Sequence, residues 1–498
     1  VSLPSGQAAP RLILTRLSLL FFLQFFIWGA WYVTGFRYMI AHEMSYQAFW
    51  LYTASPLGAI LAPFFLGLCV DRFFNAEKVL AVCFLLGGAI MWGLPWIGDM
   101  AGTAVMHQAT TAGAQEVAYY TLTLAGITMP KSTWFNLGIF AHMLCYMPTL
   151  ALTAALAFRH LPRGNEQFPL VRLWGTFGWL AGGLVLGLGF TSVVDGRTIE
   201  AGEGPIQFRI AAIASLIVGV FCLSLPATPA PRKGQPFAWR ELFFIDAWKE
   251  WRNPAFAAYL VSAFLICIPL SAYYVYLSSQ MGAMNLSHAS VWGNVGTWIE
   301  AGMLFLMPFF IRRLGIKRMI ALGILAWVVR YVLFTWAAGE GALPPPFLAG
   351  GAVNPEYPGI VLGGFPIPFM HVGFLVFLLG VALHGISYDF FFITGQVYVD
   401  KVTPPEIRGQ AQAMNLFFTY GLGLYVGAIV AGTLAGHAFS DADGQAVIAS
   451  SPASLPYWSQ LWLPLAGFAT VVLAVFWLVF RYREPAAAAA DGSASAGR

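Results

Sequence analysis

Runs of about twenty apolar residues recur from one end of this chain to the other, and that recurrence constrains the fold more than any other feature. Inside a bilayer every backbone N–H and C=O must be satisfied within the protein, which leaves helices and closed barrels as spanning structures. A barrel would show alternating segments of about ten residues, and the apolar runs here are continuous. The 498 residues are 59% hydrophobic and 10% charged, far below the roughly 25% charge of soluble domains. Mean hydropathy is +0.71. The sequence predicts an all-α polytopic membrane protein.

Twelve spans are expected, near residues 17–40, 47–68, 78–97, 133–157, 169–190, 208–226, 256–279, 288–311, 318–337, 371–397, 408–436 and 460–481. Placing the N-terminus inside puts Arg11, Arg16, Arg72, Lys78, Arg159, Arg163, Arg232, Lys233, Arg312, Arg313, Lys401, Arg408 and Arg481 on the cytoplasmic side. Roughly twenty of the 26 Lys and Arg then lie inside, as the positive-inside rule asks. Outer stretches carry Asp99, Glu200, Glu203, Glu340 and Glu356 instead. Both termini are therefore expected in the cytoplasm. The first apolar run is long enough to remain as a span, so no cleaved leader is expected.

The net charge of +4 is spread over all the inner stretches, which points away from a nucleic-acid partner. Cys69, Cys83, Cys145, Cys222 and Cys267 sit in or beside apolar runs and read as packing, with neither disulfide nor metal spacing. No metal and no cofactor is expected.

A polar, proline-rich segment from Pro226 to Asn253 divides the chain. The expected units are an N-terminal six-helix half (1–225), a linker (226–255), a C-terminal six-helix half (256–483) and a tail (484–498) without order. Short basic turns recur in matching places, Asp71-Arg72 after span two and Arg312-Arg313 after span eight, as parallel repeats would require. This arrangement resembles the major facilitator superfamily, in which substrate binds between two pseudo-symmetric halves near the midplane. Two outer stretches, 98–131 and 339–368, are long and rich in Gly, Ala, Thr or Pro; a small cap and a mobile connection are both open readings.

Charged residues inside spans are expensive and point to a site. Glu300 lies about twelve residues into span eight, with Thr297 one turn before it. A carboxyl near the midplane is penalised as an anion, which makes it a candidate proton carrier. Arg330 is central in span nine and is expected to pair with Glu300 or with Asp389. In span ten His384 and Tyr388 share a face, whereas Asp389 points about 140° away from His384. Span five carries Arg172, Thr176 and Trp179 on one stripe, with Gly175 and Gly178 permitting close helix approach. Guanidinium, hydroxyl and indole there suit a ribose or sugar with a ring to stack on; snorkelling of Arg172 to headgroups is the plainer alternative. In span one Gln24, Trp28 and Trp31 share a face and read as packing. Nothing among these charges has the order of a hydrolytic triad or the shape of a phosphate loop, so an enzyme is not expected.

Several of these stretches together resemble the nucleoside:proton symporter family of the major facilitator superfamily. They are Phe22-Leu-Gln-Phe-Phe-Ile-Trp-Gly-Ala-Trp31, Tyr146-Met-Pro-Thr-Leu150, Phe168-Pro-Leu-Val-Arg-Leu-Trp-Gly-Thr176, Ala326-Trp-Val-Val-Arg330, Tyr388-Asp-Phe-Phe391 and Ile407-Arg-Gly-Gln-Ala-Gln412. The resemblance implies proton-driven nucleoside uptake across a bacterial inner membrane by a monomer surrounded by lipid. It implies substrate contacts from Arg172, Thr176, Trp179, Glu300, Tyr388 and Asp389, with Ser271, Tyr274 and Thr297 standing where the family offers amides. His384 joins this substrate set from its place on the shared face, and Glu300, Arg330 and Asp389 form the proton-coupling set. A sugar:proton symporter of the same fold, similar to the lactose permease layout, is the alternative. Span four, however, lacks an acidic residue in Ala141-His-Met-Leu-Cys-Tyr-Met-Pro148. A transporter-like sensor is a third reading, and the short stretch after Arg483 leaves no room in this sequence for a signalling domain.

Overall fold

The computed structural model describes residues 10–65, 73–108, 115–161, 164–189, 191–194, 197–229, 240, 243–348, 351–404, 407–442 and 444–482. The expected turn at Asp71 and Arg72, the linker residues Arg232 and Lys233, and the tail 484–498 lie outside the described residues. Among the described residues the helices before Pro226 are α1 (Pro10–Gly29), α2 (Gly35–Ala41), α3 (Ala54–Phe65), α4 (Ala76–Asp99), α5 (Lys131–His160), α6 (Gly164–Gly189) and α7 (Ile206–Cys222). After the linker come α8 (Pro254–Ala283), α9 (Ala289–Gly293), α10 (Val295–Gly339), α11 (Val372–Tyr388), α12 (Thr394–Val402), α13 (Arg408–Leu416), α14 (Leu424–Ala438) and α15 (Trp458–Val479). Local chemistry sets several of these starts. Asn253 caps α8 by accepting from the Ala255 amide at 3.0 Å, and Pro254 fills the first turn. His371 caps α11 through the Phe374 amide at 3.2 Å.

Among the described residues nine stretches are long and apolar enough to cross a membrane, and two further apolar helices, Ala48–Ala62 and Ile206–Cys222, are shorter. The sequence predicts twelve spans. The count by length is lower because those two helices are short and because Ala289–Gly339 is one stretch of 51 residues. That stretch turns at Gly315, whose φ of +73° suits glycine. Its two arms run in opposite senses along the next helix. Gly296 meets His384 and Phe310 meets Phe390 in the first arm, whereas Gly323 meets Phe391 and Phe334 meets Gly380 in the second. Span one also differs from expectation: α1 stops at Gly29, and residues 30–34 turn before α2.

Small residues govern the closest packing. At Gly178 an added methyl would strike the Phe22 carbonyl, and at Gly182 it would strike Phe26 and Ala30, so α1 and α6 touch through their backbones. Gly175 does a different job, lying beside the Arg172 and Phe25 side chains. The two bundles meet along α3 and the π-helical turn Phe417–Gly423, where Gly421 lies on Ile60. They meet again where Gly187 lies against Ser290 and Val291, and where the Asn294 amide donates to the Leu180 carbonyl at 3.2 Å.

The scaffold is helical as expected, and short strands are added in the connections. Short antiparallel strands form between the helices: β1 (Thr103–Gln108), β2 (Gln115–Leu124) and β3 (Ile127–Pro130) make one sheet, and β4 (Thr191–Val194) pairs with β5 (Arg197–Glu200). The hairpin β6 (Ile360–Leu362) and β7 (Phe365–Ile367) completes the set. The described parts of both long outer stretches are thus folded, and there the cap reading fits better than a mobile connection. Tyr119 stacks on Tyr46 at 4.7 Å, and Phe365 packs on His288 and Trp292 at 4.4 and 5.4 Å.

Replacing Gly178 by Val is expected to lower stability by about 1–3 kcal/mol, the usual range for overpacking. The matched change Gly467→Val, at a position with nothing within 4 Å, should leave the midpoint of thermal unfolding in detergent unchanged. Equal shifts for both variants would contradict the backbone contact between α1 and α6.

Candidate functional site

Helix α6 supplies one wall. Its Pro169 lies in the helix's opening stretch, and the turns that follow bring Arg172, Thr176 and Trp179 to the face toward α1 and the opposite bundle. The Arg172 guanidinium lies over the Phe25 ring at 4.1 Å. Thr176 is half-buried beside it. Trp179 meets Trp28 edge-on at 5.5 Å and Tyr32 at 6.0 Å. Behind them the Tyr146 hydroxyl donates to the Gln24 carbonyl at 2.6 Å, and the Gln24 amide donates to Thr149 at 2.8 Å. Gln24 and Trp31 are fully buried, as a packing role predicts, while Trp28 turns its edge to Tyr146 and Trp179.

The C-terminal bundle supplies the other wall. Gly296 and Gly385 let α10 and α11 touch, since a methyl at either would strike the partner helix. That contact sets Glu300 beside His384, with Oε2 and Nε2 3.9 Å apart. The His384 ring stacks on Tyr273 at 4.9 Å and lies near Tyr388 at 5.5 Å. Thr297 is half-buried one turn before Glu300. Tyr274 bridges the bundles, touching His384 at 6.2 Å on one side and Tyr32 at 5.9 Å on the other.

Arg172 and Glu300 face each other from opposite bundles within electrostatic reach, with Tyr146 and Tyr420 in the same field. The Glu300 side chain keeps 20% of its surface exposed. Opposite charges, hydroxyls and ring faces thus converge between the halves, a set able to hold a polar ligand carrying a flat ring. Among the described residues no group of three or more His, Cys, Asp or Glu could hold a metal ion.

Three expectations are corrected. Arg330 pairs with neither carboxylate among the described residues: its Nε donates to the Gly380 carbonyl at 3.0 Å, and its guanidinium lies over Tyr273 and Trp327, each at 4.4 Å. The reason is register. Arg330 sits level with Gly380, and nine further residues at about 1.5 Å each carry Asp389 roughly 13 Å along the helix. Asp389 opens the π-helical turn Asp389–Ile393, is fully buried, and has no hydrogen-bond partner on either oxygen. Ser271 turns away from the site, donating to the Leu424 carbonyl at 3.1 Å in the contact between α8 and α14.

Sequence reasoning missed Tyr32, Tyr146, Tyr273 and Tyr420 as members of the site. Each is a hydroxyl in an apolar stretch, the same kind of signal that singled out Tyr388, but an aromatic ring in such a stretch reads first as packing.

Known proteins resemble this chain over most of its length. The family described as "Nucleoside H+ symporter" matches residues 12–102, 103–343 and 365–485. YegT of Escherichia coli K12 is 28% identical over 467 residues, covering 94% of this chain and 93% of its own. The nucleoside permease NupG of the same strain is 25% identical over 487 residues, covering 94% and 96%. The crystal structure of NupG superposes with a TM-score of 0.68 at 24% identity over 95% of this chain and all of that one. A D-xylose-proton symporter reaches 0.59 at 15% identity, over 94% and 98% of the two chains, and shows the shared fold alone. The chain is a multi-pass membrane protein with the major facilitator fold, and it belongs to the nucleoside:proton symporter family.

Proposed function

We propose that this chain carries out proton-coupled nucleoside uptake by binding substrate between Arg172 on α6 and Glu300 on α10. The single observation behind this is that these opposite charges, one from each bundle, lie within electrostatic reach of each other beside Tyr146 and Tyr420. Ribose hydroxyls are placed against Arg172, Thr176 and Glu300, and the base against Trp179, Tyr274 and Tyr388. The unit boundaries follow the linker, with 1–225 and 256–483 rocking about the substrate. The membrane is the bacterial inner membrane, with both termini in the cytoplasm and the protein acting as a monomer in lipid.

Proton coupling is assigned to Glu300 and Asp389. One of them takes a proton from the outside, substrate then joins the two halves, and the loaded protein turns inward. Loss of the proton inside frees the substrate. Arg330 acts by holding α11 against α10 through the Gly380 carbonyl, not as the partner of either carboxylate. Sugar transport remains the alternative for this fold, and the family match favours nucleosides over it.

Three outcomes are expected. In proteoliposomes with an inward proton gradient, labelled uridine and adenosine should accumulate, collapse with an uncoupler and ignore unlabelled disaccharides; sugar uptake with no nucleoside uptake would overturn the reading. Of Glu300→Gln and Asp389→Asn, at least one should abolish gradient-driven accumulation while keeping nucleoside counterflow. Normal accumulation by both would remove them from coupling. Arg172→Ala should raise the half-saturating nucleoside concentration by about 10- to 150-fold, the loss of one charge-assisted hydrogen bond. An unchanged value would return Arg172 to the headgroup region.

A further inference from the structure

The π-helical turn Phe417–Gly423 brings a further polar group to the site. Two glycines seat that turn. Gly421 lies on Ile60 of α3 and Gly423 lies on Cys267 of α8, so the residues between and beside them are carried at the seam where the two bundles meet. Thr419 is buried and its hydroxyl donates to the Asn415 carbonyl at 2.7 Å, within its own helix. Tyr420, the next residue, is half-buried. Turns of this kind gather at functional sites.

The ring and the hydroxyl of Tyr420 have different surroundings. Its ring packs on Phe392 at 6.3 Å, and Phe392 packs on Tyr388 at 5.2 Å, so the turn Asp389–Ile393 and the turn Phe417–Gly423 touch through their aromatic side chains. Its hydroxyl lies within electrostatic reach of both Glu300 and Arg172. Among the described residues that hydroxyl has no hydrogen-bonding partner. Tyr146 makes the contrast: it stands in the field of Arg172 too, and its hydroxyl donates to the Gln24 carbonyl at 2.6 Å. If packing were the whole role, phenylalanine would supply the same ring with no polar atom to satisfy. A hydroxyl held near two opposite charges, and bonded to neither, is placed to take its partner from the ligand.

The chemistry of the three groups says which part of the ligand that is. A guanidinium only donates and an ionised carboxylate only accepts, whereas a phenol does both. The two ring hydroxyls of a ribose each need a donor and an acceptor. Arg172 and Glu300 supply one of each, and a group of either sense completes the set.

We propose that Tyr420 is a specificity-determining residue, its hydroxyl bonding one ring hydroxyl of the ribose so that the site prefers ribonucleosides to the deoxynucleoside lacking that group; this rests on the reading of Arg172 and Glu300 as the groups that hold the ribose. A site built to bond a substrate hydroxyl rejects the analogue without it, because its own polar group is then left unpaired. The test is equilibrium binding of labelled uridine to the purified full chain, with displacement by the two deoxyuridines that each lack one ring hydroxyl. Tyr420→Phe should weaken uridine by about 3- to 10-fold, the loss of one neutral hydrogen bond. The same variant should bind one of the two deoxyuridines as the native chain does, since that analogue never had the hydroxyl that Tyr420 meets. The unchanged analogue also shows that the variant is folded. Native affinity for uridine in Tyr420→Phe overturns the proposal. An equal loss for uridine and both analogues overturns it as well and leaves Tyr420 a packing residue. A native chain that binds no uridine is a separate outcome: it removes the nucleoside reading itself and takes the proposal with it.

Discussion

A charge inside a bilayer has to find a counter-charge, a hydrogen-bonding partner or a proton, and the arrangement of this protein follows from how its buried charges meet that demand. Arg172 and Glu300 come from different bundles, and each lies in the other's electrostatic field. Neither bundle alone contains the pair. Their attraction favours closure of the halves, and a ligand that takes over part of each charge's hydrogen bonding competes for the same groups. In the proposed scheme, substrate binding and the relative position of the halves are thereby linked without any further device.

The glycines make this possible. Backbone contact at Gly178 fixes α6 on α1 and so sets the height of Arg172; contact at Gly296 and Gly385 fixes α10 on α11 and sets Glu300 against His384. The π-helical turns Asp389–Ile393 and Phe417–Gly423 interrupt two helices near the same level. Such turns gather at functional sites because they re-aim side chains and loosen the helix locally. Asp389 sits at the start of one, and Tyr420 lies inside the other.

Much of this was legible in the residues themselves. Apolar run length showed a polytopic helical protein, and intramembrane Arg172, Glu300 and His384 marked the region that the fold brings together. What the sequence could not convey was register between helices. Arg330 and Asp389 look like partners because both are charges in apolar runs, yet the level at which α10 crosses α11 separates them. Ser271 looked available because a face cannot be chosen from periodicity in a helix that is apolar all round; 30-residue α8 is buried on nearly every side. The outer stretches stayed undecided for another reason, since Gly- and Thr-rich composition suits a hairpin as well as a loose connection.

The central claim is that Arg172 and Glu300 hold one ligand from two sides. Equilibrium binding of labelled uridine to purified protein, measured for Arg172→Ala, Glu300→Gln and the double variant, tests it directly. The account predicts that each single change weakens binding at least about tenfold and that the double variant loses less than the two losses combined, as residues sharing one ligand do. Wild-type affinity in both single variants, or two losses that simply add, would contradict it.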